Sequence, residues 1–251
     1  MVKNEIPSHA SVVVIGGGIM GCSTVYHLSK MGVTDVVLVE RNKLTSGTTW
    51  HSAAQVRALR NSKNLTRMIQ YSVELYSELE KETSQNVGWI QKGSLSIATT
   101  PDRLIHIKRQ EALAHAYGIQ ARSISPSAAK ERWPHMNSKD VLGAVWSPDD
   151  GRVSPSDVCT ALSKAAKKLG AKIFEETGVT GILTKNGRVK GIETTNGTIM
   201  CNAIALCAGL WSREIGAMAN SKVPVLACEH FYLLTKPIYG FITWKIITFL
   251  G

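Results

Sequence analysis

The chain has 251 residues, of which 44% are hydrophobic and 19% are charged, as is ordinary for a globular protein with one large or two small domains. No apolar run is long enough to span a membrane. The net charge of +10 is not accompanied by aromatic residues between the basic ones, so we expect anionic small molecules rather than nucleic acid as ligands.

The first predicted strand leads directly into a glycine-rich loop. Residues 12–15 are apolar and β-branched, as in a buried parallel strand, and Gly16, Gly18 and Gly21 follow with the spacing Gly-x-Gly-x-x-Gly. These glycines permit a tight turn, close approach of a phosphate and close packing of the next helix, predicted over 19–31. That helix would direct its N-terminal amides at a pyrophosphate.

An acidic residue ends the second predicted strand, 36–39. Glu40 lies 19 residues after Gly21, close to the spacing of the acid that binds an adenosine ribose. The acid argues against a 2′-phosphate, and strand alternation would direct the side chain of Arg41 to the other side. The loop and the acid together predict a bound dinucleotide and leave NAD and FAD as alternatives.

The rest of the chain alternates between helical and strand patterns. We expect helices at 64–82, 101–117, 125–133 and 155–169, and strands at 93–98, 143–146, 172–175, 178–184, 188–194, 198–201 and 203–207. Strand 93–98 alternates as if one of its faces were in water, and Ser154 is the expected N-cap of the 155–169 helix.

These elements predict an α/β fold with a Rossmann-like parallel sheet of the FAD/NAD(P)-binding type, interrupted by a partly antiparallel substrate domain that is incomplete in this chain. The expected segments are 8–60 and 153–220 for the dinucleotide domain, 61–152 and 221–238 for the substrate domain, and 239–251 for an atypical tail. The cysteines and histidines lack metal-binding spacing, so no metal site is predicted. The N-terminal residues lack a secretory or transit pattern, which predicts a cytoplasmic location, with the mitochondrial matrix as the alternative.

Three motifs together resemble the D-amino-acid-oxidase-like flavoproteins: the glycine loop, Glu40 and the segment Ala-Gly-Leu-Trp-Ser at 208–212. The segment Thr-Ser-Gly-Thr-Thr-Trp-His at 45–51 narrows the resemblance to the dimethylglycine and sarcosine dehydrogenases. The resemblance extends from about Ser11 to Ile238.

The resemblance implies FAD as the cofactor, bonded covalently through its 8α-methyl group to His51. It also implies a set of cofactor-binding residues: Gly16, Gly18, Gly21, Glu40, Arg41, Ser46, Thr48, Thr49, Val179, Ala208, Gly209 and Trp211. The resemblance further places His230 and Tyr232 on the substrate side of the flavin as catalytic residues. They lie two apart on a predicted strand and therefore on one face of it.

The implied activity is oxidation of the N-methyl C–N bond of a small secondary or tertiary amino acid, such as dimethylglycine or sarcosine, by hydride transfer to flavin N5. An electron-transfer flavoprotein or oxygen would accept the electrons. One alternative is a non-catalytic protein with the FAD fold, resembling the regulatory subunit of pyruvate dehydrogenase phosphatase. Another is an NAD-dependent dehydrogenase.

Two departures from the family pattern lead to further expectations. Ala54 stands where relatives often have glycine, so the chain after His51 is expected to turn less freely. Family members continue well beyond residue 251, and the 239–251 segment does not match them. The chain is therefore expected to be truncated, and to bind FAD poorly or turn over slowly.

Overall fold

The computed structural model describes residues 5–229, 231 and 236, and these divide into two compact units. Unit 1 contains residues 5–53, 79–87 and 154–229, and unit 2 contains residues 54–78 and 88–153. None of the described helices combines the length and apolar character that crossing a lipid bilayer requires.

The strands are numbered in chain order: β1 (His9–Ile15), β2 (Val36–Val39), β3 (Gln55–Val56), β4 (Ser94–Ala98), β5 (Arg122–Ile124), β6 (Gly143–Ser147), β7 (Gly151–Arg152), β8 (Lys172–Phe174), β9 (Val179–Lys185), β10 (Arg188–Thr194) and β11 (Gly197–Leu206). The helices are α1 (Ile19–Lys30), α2 (Lys63–Thr83), α3 (Pro101–Ala116), α4 (Pro126–Arg132), α5 (Pro155–Lys168) and α6 (Ser212–Ala217).

Unit 1 is built on a six-stranded sheet in the order β8-β2-β1-β11-β10-β9. The strands β8, β2, β1 and β11 are parallel, and β10 and β9 continue the sheet in antiparallel pairing. All four residues of β2 are buried, as expected for a parallel strand covered on both faces. The predicted α/β fold with a parallel Rossmann-like sheet is confirmed.

The sequence pattern predicts the boundaries of most elements of unit 1 to within one or two residues, and one prediction is wrong. The predicted strands 198–201 and 203–207 form a single strand, β11. Its first half pairs with β10 and its second half with β1, so one strand joins the antiparallel and parallel parts of the sheet. Ser154 does occupy the N-cap of α5, but its side chain forms no capping hydrogen bond.

Unit 2 contains a three-stranded antiparallel sheet in the order β4-β6-β5. Successive residues of β6 enter different cores: Ala144 packs with Leu95 and Ala129, whereas Val145 packs with Ala98 and Ile107. Both faces of the sheet are therefore covered, one by α3 and the other by α4. The expectation that β4 has a face in water is wrong for this reason.

A buried carboxylate connects several segments of unit 2 through hydrogen bonds. The side chain of Asp150 accepts hydrogen bonds from the backbone N–H of Ala58 (2.8 Å) and the hydroxyl of Ser94 (2.6 Å). The guanidinium of Arg57 lies 3.6 Å away and also donates to Ser96. Burial is the main influence on the Asp150 carboxyl and raises its pKa, although these donors act in the opposite direction.

Candidate dinucleotide site

A cavity of about 510 Å³ opens at the carboxyl ends of the parallel strands of unit 1. This is the edge at which open α/β sheets bind their ligands. Residues from separate parts of the chain line the cavity: Ile15–Met20, Val39–Asn42, Ser46–Thr49, Ser52, Thr177–Val179, Cys207–Gly209, Trp211, Glu214 and Ile215. All of them belong to unit 1, so the cavity is a property of that unit alone.

The glycine loop leaves no room for side chains. Gly16 has a φ of +110°, and a Cβ atom there would collide with the carbonyl oxygen of Cys207. A Cβ atom on Gly21 would collide with the carbonyl oxygen of Gly16, which is the close packing between helix and strand that the third glycine provides. A Cβ atom on Gly18 would lie 2.9 Å from the hydroxyl oxygen of Thr49. Gly16 and Gly18 line the cavity, whereas Gly21 lies behind the loop and holds α1 against it.

The carboxylate of Glu40 is half-buried in the cavity wall and is fixed by two backbone groups. Its two oxygens accept hydrogen bonds from the N–H of Gly17 (2.7 Å) and the N–H of Asn42 (2.9 Å). The acid and the glycine loop are therefore directly connected. A carboxylate has about four acceptor positions, so capacity for ligand hydroxyl groups is left over.

The 45–51 segment packs against the glycine loop. Thr45 has a φ of +68°, a rare conformation for a β-branched residue, and its N–H donates to the carbonyl oxygen of Gly17 (3.0 Å). The hydroxyl of Thr49 accepts a hydrogen bond from the N–H of Ile19, the first residue of α1 (3.0 Å). The segment thus reaches the N-terminus of α1, and Ser46, Thr48 and Thr49 line the cavity.

His51 is the last residue of a short 3-10 helix, Thr48–His51. Its side chain is exposed, and its ring lies 3.7 Å from that of Trp50, centroid to centroid. Thr49 and Ser52 line the cavity, but His51 itself does not. Ala54 then adopts a φ of +63°, a backbone conformation that favours glycine.

Arg41 and Trp211 meet at the cavity. The guanidinium carbon of Arg41 lies 4.0 Å from the centroid of the Trp211 ring, a cation–π contact, and both side chains line the cavity. The expectation that Arg41 points away from the site is wrong. It assumed strand alternation, but β2 ends at Val39, and the turn after it allows both Glu40 and Arg41 to face the cavity.

The remaining predicted residues lie on the wall formed by β9 and the end of β11. Val179, Ala208 and Gly209 all line the cavity, and Gly209 has a φ of +56° with open space where a side chain would be. Burial raises the pKa of the neighbouring Cys207 thiol, which contacts the hydroxyl of Thr24.

His230 and Tyr232, the predicted catalytic residues, lie outside the described residues. Sequence reasoning missed other lining residues, among them Gly17, Asn42, Gly178 and Glu214. Gly17 could have been predicted from its place in the run Gly16-Gly17-Gly18. In the structure, a Cβ atom on Gly17 would crowd the side chain of Glu40. Gly178 and Glu214 had no comparable signal.

Comparison with known proteins identifies the family. The family described as FAD dependent oxidoreductase (DAO) matches residues 11–248. The chain belongs to this family. The match continues beyond Ile238, so the family similarity does not end where we placed the start of an atypical tail.

Relatives in the FAD-dependent oxidoreductase family include enzymes and a regulatory protein. Mitochondrial sarcosine dehydrogenase of Mus musculus is 43% identical over 244 residues, covering 95% of this chain and 27% of the relative. The mitochondrial pyruvate dehydrogenase phosphatase regulatory subunit of Mus musculus is 43% identical over 235 residues, covering 92% and 27%. The crystal structure of L-proline dehydrogenase from P. horikoshii matches with a TM-score of 0.82 and 31% identity, covering 86% of this chain and 57% of that one.

The resemblance to sarcosine and dimethylglycine dehydrogenases is thereby confirmed. The chain spans about a quarter of the length of these curated relatives. FAD is the cofactor that the FAD-dependent oxidoreductase family implies. The residues present fit such a group, because the glycine loop is free of side chains, the adjoining acid retains acceptor positions and the cavity is of ordinary ligand-site size.

Proposed function

We propose that unit 1 binds FAD in the cavity at the carboxyl ends of its parallel strands, and that the protein to which this chain corresponds oxidises the N-methyl group of a small secondary or tertiary amino acid. The observation that carries this proposal is the direct link between the glycine loop and Glu40 at a cavity of about 510 Å³. Rossmann folds need this combination to hold a pyrophosphate and a ribose side by side.

Each lining group has a role in this proposal. Glu40 accepts hydrogen bonds from the adenosine ribose, and the positive end of the α1 helix dipole faces the pyrophosphate. The hydroxyl groups of Ser46, Thr48 and Thr49 donate to the pyrophosphate or to the flavin ring. Val179, Ala208 and Gly209 contribute backbone groups to the same cavity wall.

A covalent bond from His51 to the flavin 8α-methyl group is part of the proposal. Forming the bond needs a neutral, nucleophilic imidazole at the edge of the ring. The imidazole N–H bond and one methyl C–H bond would be broken, the two hydrogens and two electrons would pass to the flavin, and oxygen would reoxidise it. His51 is exposed and lies between two residues that line the cavity, Thr49 and Ser52. The chain on both sides of His51 therefore already contributes to the cavity wall.

Bound FAD supplies the redox chemistry by accepting a hydride from the N-methyl carbon at flavin N5. The protein then has to orient the substrate and keep its amine neutral. In our proposal His230 accepts the ammonium proton or orients the carboxylate, and Tyr232 is the second catalytic residue. The electron acceptor would be an electron-transfer flavoprotein or oxygen.

The test is the absorption spectrum of the purified chain before and after acid precipitation, with the His51→Ala variant beside it. We expect flavin absorbance to stay with the precipitated wild-type protein and to wash out of the variant. Flavin that remains attached to the variant would refute the bond to His51. Absence of flavin from both proteins after FAD is added would refute FAD binding by this chain.

A second candidate function is supported by the 43% identity to the pyruvate dehydrogenase phosphatase regulatory subunit. A protein of that kind would bind a partner, with or without a nucleotide, and would not turn over a substrate. Anaerobic addition of sarcosine or dimethylglycine separates the two functions, since only the dehydrogenase would bleach the flavin absorbance. Both relatives are mitochondrial by name, which favours the mitochondrial matrix over the cytoplasm as the location.

A further inference from the structure

The contact between Arg41 and Trp211 bridges two strands that are not neighbours. Arg41 follows β2 and Trp211 follows β11, and β1 lies between these strands in the sheet. The glycine loop leaves the sheet from the end of β1, so the two side chains come together across the position where that loop begins. Both line the same cavity as Gly16 and Gly18.

Each of the two side chains packs closely against a glycine. A Cβ atom on Gly178 would lie 3.5 Å from the Cβ of Arg41, and a Cβ atom on Gly47 would lie 3.4 Å from the ring of Trp211. The Arg41 guanidinium then lies 4.0 Å from the ring centroid. The 39–42, 46–49 and 207–211 parts of the cavity wall are thus connected through one pair of side chains.

We propose that the Arg41–Trp211 pair is a latch that closes over a bound dinucleotide and slows its release. The inference rests on the proposed function, because it requires FAD in this cavity. In this proposal a ligand lying across the ends of β2, β1 and β11 would have to displace the pair to leave. The cation of Arg41 is also attracted to a pyrophosphate, so the charge favours the closed arrangement over a bound ligand.

A pair that blocks the site, rather than closing over the ligand, would have different kinetics. If Arg41 covered the part of Trp211 that a dinucleotide needs, the pair would compete with the ligand. Removing the arginine would then speed association and strengthen binding. A latch predicts faster release with little change in association, so the two kinetic constants distinguish the arrangements.

The experiment uses the full chain with His51→Ala, so that FAD binding is reversible. Release and association of FAD are followed by flavin fluorescence for this protein and for the added changes Arg41→Met, Trp211→Leu and both together. We expect either single change to accelerate release about three- to thirty-fold, the range for a cation–π contact, and the double change to add little more. Arg188→Met is the matched control, because Arg188 lies on β10 and does not line this cavity.

Four outcomes would overturn the latch. Unchanged release in Arg41→Met, or faster association with slower release, refutes it while leaving the FAD site intact. Equal acceleration by Arg188→Met would show a general effect of charge. Failure of both the wild-type chain and the His51→Ala protein to bind FAD would refute the proposed function, and the latch with it. Circular dichroism of each variant verifies folding, and Arg41→Met, a change at an exposed side chain, suffices if Trp211→Leu does not fold.

Discussion

Two carboxylates in this chain, Glu40 in unit 1 and Asp150 in unit 2, are bound by similar donors but differ in their surroundings. Glu40 accepts two backbone N–H groups and stays half-buried at a cavity. Asp150 is 2% exposed and accepts a backbone N–H and a hydroxyl, with a guanidinium nearby. The first carboxylate retains accessible acceptor positions, whereas the second is surrounded by the protein groups that it holds together.

The difference shows that accessibility, rather than the number of hydrogen bonds, separates a ligand-binding acid from a structural one. A buried carboxylate that satisfies several donors stabilises the fold, because removing it leaves those donors unpaired. An acid at a cavity contributes to binding and less to folding. Substitutions at the two positions should therefore affect different measurements.

The largest expected effect is on stability, from Asp150→Ala. This change leaves the Ala58 N–H, the Ser94 hydroxyl and the Arg57 guanidinium without their common acceptor. We expect the free energy of unfolding to fall by about 3 kcal/mol, measured by urea denaturation. The control is Ala substitution of Asp149, the preceding and more accessible acid, which should cost much less. A loss below about 1 kcal/mol in Asp150→Ala would contradict the structural role.

The next effect is on binding, from Glu40→Gln in the His51→Ala protein. The amide replaces one acceptor oxygen with a donor, which cannot pair with an N–H group or accept from a ribose hydroxyl. We expect the dissociation constant for FAD to rise roughly tenfold, and the free energy of unfolding to fall by only about 1 kcal/mol. Isothermal titration and urea denaturation measure the two quantities. A loss of stability as large as that of Asp150→Ala, with unchanged FAD affinity, would remove the distinction between the two acids.

The smallest effect is a difference in pH dependence. Burial raises the folded-state pKa of Asp150 above its ordinary value of 3.8, so the folded protein holds this proton more tightly than the unfolded chain. As pH falls through the folded pKa towards 3.8, wild type gains stability relative to Asp150→Asn, and the gain is lost again as pH rises. We expect urea denaturation to show wild type gaining stability relative to Asp150→Asn between pH 7 and pH 4. The opposite slope would mean that the donors outweigh burial.

The two carboxylates also differ in how well the sequence identified them. Glu40 could be predicted because its distance from Gly21 is set by the strand and helix between them, which is a local constraint. The role of Asp150 could not be predicted, because its donors come from Ala58 and Ser94, far away along the chain. The predicted side-chain direction of Arg41 was wrong for a local reason, because the alternation of side chains ends where β2 ends, at Val39.

The same contrast between local and distant constraints explains the fold. The helices α1, α3 and α5 begin and end at glycine, proline or capping signals and were placed within a residue or two. The continuity of β11 depends on pairing with β10 on one side and β1 on the other, which short segments cannot reveal. The two covered faces of β4 depend in the same way on α3 and α4.

The pairing of β1 with β11 also sets the order of events during synthesis. Val13 pairs with Ile204, so roughly 190 residues separate partners at the centre of the sheet. At about 5 to 20 residues per second, the ribosome needs on the order of ten to forty seconds to produce the second partner after the first. During this interval β2 is the native partner that β1 has available, and the backbone groups on the other edge of β1 are unpaired. Because β1 is rich in valine, this edge can form incorrect strand pairs. The nascent chain therefore benefits from protection of its first 40 residues until β11 has left the ribosome.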